Sequence, residues 1–252
     1  MKREQDWEAM GAGIGLLAAL MFVLAFIVFM TTSPTGSPPL PSIENAQSAP
    51  AFLAAHLTAV RLVLLFTSLG VVLFLWFAGS LRAALRQAEG EPARGSGLAM
   101  AGATAGAVLM LAGLALGFAA GLSTSPLQAN AAPTLYTASA LLFAFGGGTL
   151  SLFFFAAAEV IVRTRVLGRW LGWLGFIVGL LAVLAFTTPF FPAGVLNAAT
   201  GALGRWAWLA GLVVWLFLAS LMLTIGERRL AREATAAAAP GRPVNRAEGA
   251  VR

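Results

Sequence analysis

Few side chains in this sequence combine a reactive type with a spacing that could support chemistry. Glu159 lies within an apolar run and four residues before Arg163, which is the favourable order for an ion pair on a helix. An ionisable residue inside an apolar span is a functional hypothesis by default, so a proton or ion relay at Glu159 is the alternative to an ion pair. We favour the interfacial ion pair, because both residues fall near the end of the run.

A second polar group surrounds the only histidine of the chain, His56. Arg61 follows five positions later, and Glu44 precedes both in a proline-rich segment and could reach either of them. Histidine titrates near neutrality, so a pH-sensitive cluster is one interpretation. The simpler interpretation, which we favour, is that His56, Arg61 and Glu44 are solvated groups at the end of an apolar run.

Several kinds of chemistry are excluded by composition. The chain has no cysteine, which removes disulfides, thiolate metal sites and thiol nucleophiles. One histidine cannot supply bis-histidine haem ligation or a three-histidine zinc site. Asp6 is the only aspartate, and no hydrolase, metalloprotease or phosphate-loop motif occurs. We therefore predict no catalytic residues, no metal site and no cofactor, and a membrane enzyme of unfamiliar type ranks third among the functional readings.

The composition indicates where the protein resides. It is 59% hydrophobic and 10% charged, whereas soluble domains are about 45–50% apolar and about 25% charged. Uncharged runs as long as Leu62–Leu81 recur, and about 20 apolar residues suffice for a helix to cross a bilayer. The alternation of a β-barrel strand is absent. The sequence thus predicts an all-α, polytopic transmembrane bundle.

Six spans follow from the apolar runs. They are predicted at about 9–30, 57–81, 98–122, 136–159, 170–188 and 206–226. Residues 1–8 form a polar N-terminus, residues 31–56 an outer loop, and residues 227–252 a basic tail that we expect to be disordered beyond its first turns.

The basic residues fall almost entirely on one side of this scheme. The N-terminus, the second and fourth loops and the tail hold Lys2, Arg3, Arg82, Arg86, Arg94, Arg163, Arg165, Arg169, Arg228, Arg229, Arg232, Arg242, Arg246 and Arg252, out of 16 basic residues. The positive-inside rule then places both termini in the cytoplasm of a bacterium, with the chain in its cytoplasmic membrane. We expect anionic lipid headgroups as partners, a homo-oligomer or larger membrane complex as an option, and no nucleic acid.

A short pattern, LGRWLGWLG, opens the fifth span and returns as LGRWAWLAG at the sixth. The two copies fall on opposite membrane faces, which argues against an internal repeat. Tryptophan prefers the headgroup level and arginine extends its charge to water. We interpret these residues as interface anchors: Arg169, Trp170, Trp173, Arg205, Trp206 and Trp208. Binding of an anionic headgroup or partner by Arg169 or Arg205 is the alternative.

Glycines recur at helical spacing in the third and fifth spans. The predicted packing glycines are Gly102, Gly106, Gly113, Gly117, Gly121, Gly168, Gly172, Gly175 and Gly179. Such ridges let helix backbones approach closely in lipid. Both spans should therefore be deeply packed, against each other, against span four or across a dimer interface. Simple packing is also favoured for Gly146, Gly147 and Gly148, with a broken, cavity-lining segment as the alternative.

The segment VRTRVLGRWLGWLGFIVGLLAVL resembles part of a bacterial family of multi-pass membrane proteins of unknown function, in which a basic turn and Leu-Gly-Trp-Leu-Gly open a late helix. The likeness covers about residues 135–226. It implies a six-helix integral membrane protein and supplies no catalytic residues. The favoured function is a non-enzymatic structural, interaction or lipid- or ligand-binding subunit, and the alternative is a small transporter or channel with Glu159 near its pathway.

Overall fold

The computed structural model describes residues 2–31, 43–122, 131–190 and 207–238, and these ranges contain helices and no strand. The α-helices are α1 (Lys2–Thr31), α2 (Ala49–Ala55), α3 (Leu57–Glu89), α4 (Arg94–Leu122), α5 (Ala132–Thr164), α6 (Arg169–Thr187) and α7 (Trp208–Ala238). Short 3-10 helices cover Ile43–Ser48 and Thr188–Phe190.

Six of these helices, all except α2, are long and apolar enough to cross a membrane. This confirms the prediction of an all-α bundle with six spans. At 1.5 Å per residue, the 33 residues of α3 and of α5 extend about 50 Å, which exceeds a hydrocarbon core of about 30 Å. The charged ends of these two helices therefore project past the apolar layer.

The six long helices form a closed ring. Going around it, α1 packs on α3, α3 on α4, α4 on α5, α5 on α6, α6 on α7, and α7 returns to α1. The centre of the ring is filled by aromatic side chains. Phe153 of α5 meets Phe74 of α3 and Trp215 of α7 edge to face, with ring centroids 5.3 and 5.6 Å apart, so α5 touches helices that are not its neighbours in the ring.

The glycine ridges of α4 and α6 both pack on α5, from its two sides. A Cβ at Gly102 would lie 2.6 Å from the backbone nitrogen of Phe153, and one at Gly106 would lie 3.1 Å from the carbonyl oxygen of Gly146. On the other side, a Cβ at Gly172 would lie 3.0 Å from the carbonyl oxygen of Ala158. Only glycine permits these backbones to approach so closely.

The remaining ridge glycines follow the same pattern with two exceptions. Gly113 and Gly117 face Ser139 of α5, and Gly175 and Gly179 face Ala158 and the Phe154–Phe155 pair. Gly121 instead faces Leu53 of α2. The packing role predicted for Gly168 stays a prediction: the residue precedes α6 and has φ +82°, which serves the reversal of the chain between α5 and α6, and a Cβ there would lie 3.6 Å from Met222 of α7.

Three stretches differ from the elements that the sequence predicts. Part of the expected outer loop is helical, because Ile43–Ser48 and α2 lie within residues 31–56. Helix α7 continues to Ala238, past the expected end of the sixth span at 226. The segment Gly146–Gly148 lies inside an unbroken α5, where Gly146 packs on Met110 and Gly148 on Phe186, so it is a packing surface and not a helix break.

Candidate functional site

Among the described charged side chains, the most highly connected is Glu89, the last residue of α3. Its Oε1 accepts the backbone N–H of Gly95 at 2.8 Å, and its Oε2 accepts that of Ser96 at 3.0 Å. Only 8% of this side chain is exposed. The carboxylate therefore binds two of the free N–H groups at the start of α4, where a negative charge also complements the helix dipole.

The turn between α3 and α4 is built to bring Glu89 to this position. Gly90 follows the last residue of α3 and has φ +73°, and Ala93 has φ +47°. The Ser96 hydroxyl donates to the Ala93 carbonyl at 3.1 Å. A Cβ at position 95 would lie 2.5 Å from Val160 of α5, so Gly95 lets the start of α4 pack tightly against that helix.

Arg163, near the end of α5, connects this carboxylate to the predicted ion pair. Its guanidinium lies 3.6 Å from Oε1 of Glu89 and 3.8 Å from Oε1 of Glu159. The Glu159 side chain is 60% exposed, in contrast to that of Glu89. The spacing that suggested a Glu159–Arg163 pair thus corresponds to a contact, and the same arginine makes a second contact with a buried acid that the spacing did not reveal.

The other arginines at this end of the bundle fall into two groups. Arg86 pairs with Glu91 at 3.2 Å, and both side chains are exposed. Arg82, Arg94, Arg165 and Arg169 are exposed and have no acidic partner within the ranges that the structure describes. Among the described side chains of this end, these four are therefore positive charges without an acidic partner.

The residues predicted to form a histidine cluster lie at the opposite end, and no contact among them is seen in the described side chains. His56 lies between α2 and α3, and its Nδ1 donates to the Phe52 carbonyl at 3.0 Å while its ring packs on that of Phe52 at 4.6 Å. Arg61 is exposed on the first turns of α3. The backbone of Glu44 belongs to the 3-10 helix, and its side chain lies outside the described residues.

The predicted interface anchors differ in where their side chains lie. Arg169, Trp170 and Trp173 are exposed at the start of α6, the two tryptophans by 51% and 56%. Arg205 and Trp206 lie outside the described residues.

The anchor predicted at Trp208 is wrong, because its side chain is only 5% exposed. Its ring lies near Gly147 of α5, where the absence of a side chain leaves room for it. Trp208 therefore belongs to the protein core and not to the membrane interface.

Sequence reasoning missed Trp215, the largest fully buried side chain of the bundle. Its indole N–H donates to the carbonyl oxygen of Leu171 in α6 at 3.1 Å. A Cβ at Gly175 would lie 3.1 Å from the indole nitrogen, so this glycine leaves the approach open. The signal available in the sequence was the opening of α6 with glycines at 172 and 175, spaced to admit a large partner.

The interior offers little polar chemistry in the described part of the chain. Besides Glu89, whose side chain is 8% exposed, the buried polar residues are Ser96, Ser139, Ser151 and Ser220. Ser139 donates to the Gly113 carbonyl at 2.7 Å, and Ser151 to that of Gly148 at 2.6 Å. Among all the residues that the structure describes, no three histidine or acidic side chains converge in a way that could hold a metal ion.

Comparison with known proteins gives no relative from which residue roles could be transferred: no family model, no curated protein and no solved structure matches the chain.

Proposed function

We propose that this protein is a non-enzymatic structural and interaction subunit of the bacterial cytoplasmic membrane. The observation that supports it most directly is the filled centre of the helix ring, where Phe153 packs edge to face on Phe74 and Trp215. A transporter or channel needs polar, hydrated groups along a path through its middle. Buried serines bonded to backbone carbonyls and a core of aromatic rings do not offer that path.

The position of Glu159 supports the same proposal over a relay. A relay group has to face the interior of the bundle or a water-filled cavity. Glu159 is mostly exposed and lies beside Arg163 near the end of α5. An exposed ion pair of this kind contributes to the charged rim of the bundle and leaves its interior apolar.

The orientation belongs to the proposal as well. The arginine-rich ends of α3, α4, α5 and α6 form one side of the bundle, and the described residues at the other side carry Arg61, on the first turns of α3. The positive-inside rule favours a cytoplasmic location for the arginine-rich end and for both termini.

A flux assay in proteoliposomes tests the scaffold against the transporter. We expect no protein-dependent movement of protons or small ions, measured with an entrapped pH dye and ion-selective dyes, for either the natural chain or Glu159→Gln. Flux that depends on the natural protein and is abolished by Glu159→Gln would replace the scaffold with the relay. Flux that both proteins support would also contradict the closed bundle and would assign the path to other residues.

A further inference from the structure

Two of the unpaired arginines lie together at the connection between α5 and α6. The connection is a tight turn closed by the Gly168 N–H, which donates to the Arg165 carbonyl at 3.1 Å. Arg165 and Gly168 both adopt positive φ, 60° and 82°, so the chain reverses within a few residues. Arg165 and Arg169 therefore flank one turn at the tip of a helical hairpin, and both side chains are exposed.

A continuous apolar stripe begins directly beside this turn. Trp170, Trp173, Ile177 and Leu180 are 51%, 56%, 57% and 56% exposed. Their spacing of three, four and three residues places them on one face of α6. In a membrane this face meets the acyl chains, with the tryptophans at headgroup depth.

The acidic side chains that the structure describes at this end contact other arginines. Glu89 and Glu159 contact Arg163, and Glu91 contacts Arg86. Arg165 and Arg169 have no acidic partner among the described side chains. A guanidinium group binds phosphate oxygens through two parallel hydrogen bonds, so two such groups above an apolar stripe match a phosphate attached to acyl chains.

We propose that Arg165 and Arg169 form a binding site for the headgroup of an anionic phospholipid, whose acyl chains lie along the stripe that begins at Trp170. This goes beyond the scaffold function and does not depend on it, because the site uses the outer surface of the bundle and not its centre. The chemistry fits a lipid better than a free phosphate, since the apolar stripe contributes to binding.

Lipid selectivity of the purified protein tests the proposal. The detergent-solubilised chain is equilibrated with equal amounts of phosphatidylglycerol and phosphatidylcholine, and the retained lipids are counted by native mass spectrometry. An arginine near a membrane surface contributes about 1 kcal/mol, so Arg165→Gln and Arg169→Gln should each lower the preference for phosphatidylglycerol about fivefold. Arg165→Lys and Arg169→Lys keep the charge but lose the two parallel hydrogen bonds, so each should lower the preference less than the glutamine variant at the same position does. The matched control is Arg61→Gln, an exposed arginine at the opposite end, which should leave the preference unchanged.

The unaltered protein provides a second readout that needs no substitution. Raising the salt concentration to about 0.5 M should weaken its preference for phosphatidylglycerol, because salt screens exposed charges, and glycerol phosphate at the same concentration as the lipid should not displace it. The proposal is overturned if both glutamine variants keep the natural preference, if Arg61→Gln lowers it equally, if salt has no effect, or if glycerol phosphate displaces the lipid.

Discussion

Trp215 of α7 donates its indole N–H to the Leu171 carbonyl of α6 across 3.1 Å, and both residues are fully buried. The bond joins two neighbouring helices of the ring, and the same indole packs on Phe153 and Phe154 of α5 with centroids 5.6 and 5.3 Å apart. One side chain therefore connects three helices. Its ring fills the centre of the bundle, and its one polar atom has a partner, as a buried indole requires.

Trp215→Phe keeps a buried aromatic ring but removes the N–H donor and leaves a cavity, because the phenyl ring is smaller than the indole. We expect it to lower the free energy of unfolding by more than the about 0.5–1.5 kcal/mol of a lost hydrogen bond. Reversible unfolding in mixed detergent micelles measures the change. Trp173→Phe, at a tryptophan that is 56% exposed, is the matched control and should leave stability unchanged. Equal effects of the two substitutions would show that neither the buried indole ring nor its hydrogen bond stabilises the bundle.

The glycine ridge of α4 predicts a contrast between two glycine-to-alanine substitutions. Gly102→Ala should destabilise the bundle by about 1–3 kcal/mol, because the new methyl group would overlap the backbone of Phe153 and force α4 away from α5. Gly79→Ala, in α3, meets open space and should be neutral or slightly stabilising, since alanine favours a helix over glycine by up to about 1 kcal/mol. Thermal unfolding of both variants in detergent provides the comparison, and a stable Gly102→Ala protein would be inconsistent with this packing.

Glu89 and Glu159 both contact Arg163, yet their substitution should have different consequences. Glu89→Gln removes a buried charge that accepts the N–H groups of Gly95 and Ser96, and should cost about 1–3 kcal/mol of unfolding free energy. Glu159→Gln removes a mostly exposed partner, and such pairs contribute little. Chemical denaturation of the two variants measures the difference. A larger loss for Glu159→Gln would reverse the roles assigned to these acids.

The proposed orientation can be tested because the chain has no natural cysteine. Ala88→Cys lies exposed at the arginine-rich end of α3, and Ala54→Cys lies exposed in α2 at the opposite end. A membrane-impermeant maleimide added to intact bacterial cells should label Ala54→Cys and should reach Ala88→Cys only after the cells are opened. The reverse pattern would place the arginine-rich end outside the cell.

The spans could be predicted from the sequence because their signal is local: an uncharged run long enough to cross a bilayer. The arrangement of the spans could not, because residues that face lipid and residues that face protein are both apolar. Trp173 and Trp215 illustrate this, since one is more than half exposed and the other fully buried. The sequence favours the interface for Trp208 for the same reason, and only the position of Gly147 reveals the space that its ring fills.

The charged site formed by Arg163, Glu159 and Glu89 could be predicted in part from the sequence. The spacing of Glu159 and Arg163 indicates a contact within one helix, which is local information. The contact between Arg163 and Glu89 joins residues that are distant in sequence, so it depends on how α3, α4 and α5 meet. The sequence contains one local hint, an acid placed shortly before Gly95 and Ser96, where a helix begins with small residues and exposed N–H groups.

Thiol accessibility in the interior of the bundle tests the closed apolar bundle most directly. Ala107 of α4 and Ala219 of α7 lie near the middle of their spans and are fully buried. We expect Ala107→Cys and Ala219→Cys to resist a small water-soluble thiol reagent in folded, reconstituted protein, to react after denaturation, and to differ from Ala88→Cys, which should react at once. Rapid labelling of either buried position in the folded protein would reveal a hydrated path through the bundle and contradict the scaffold.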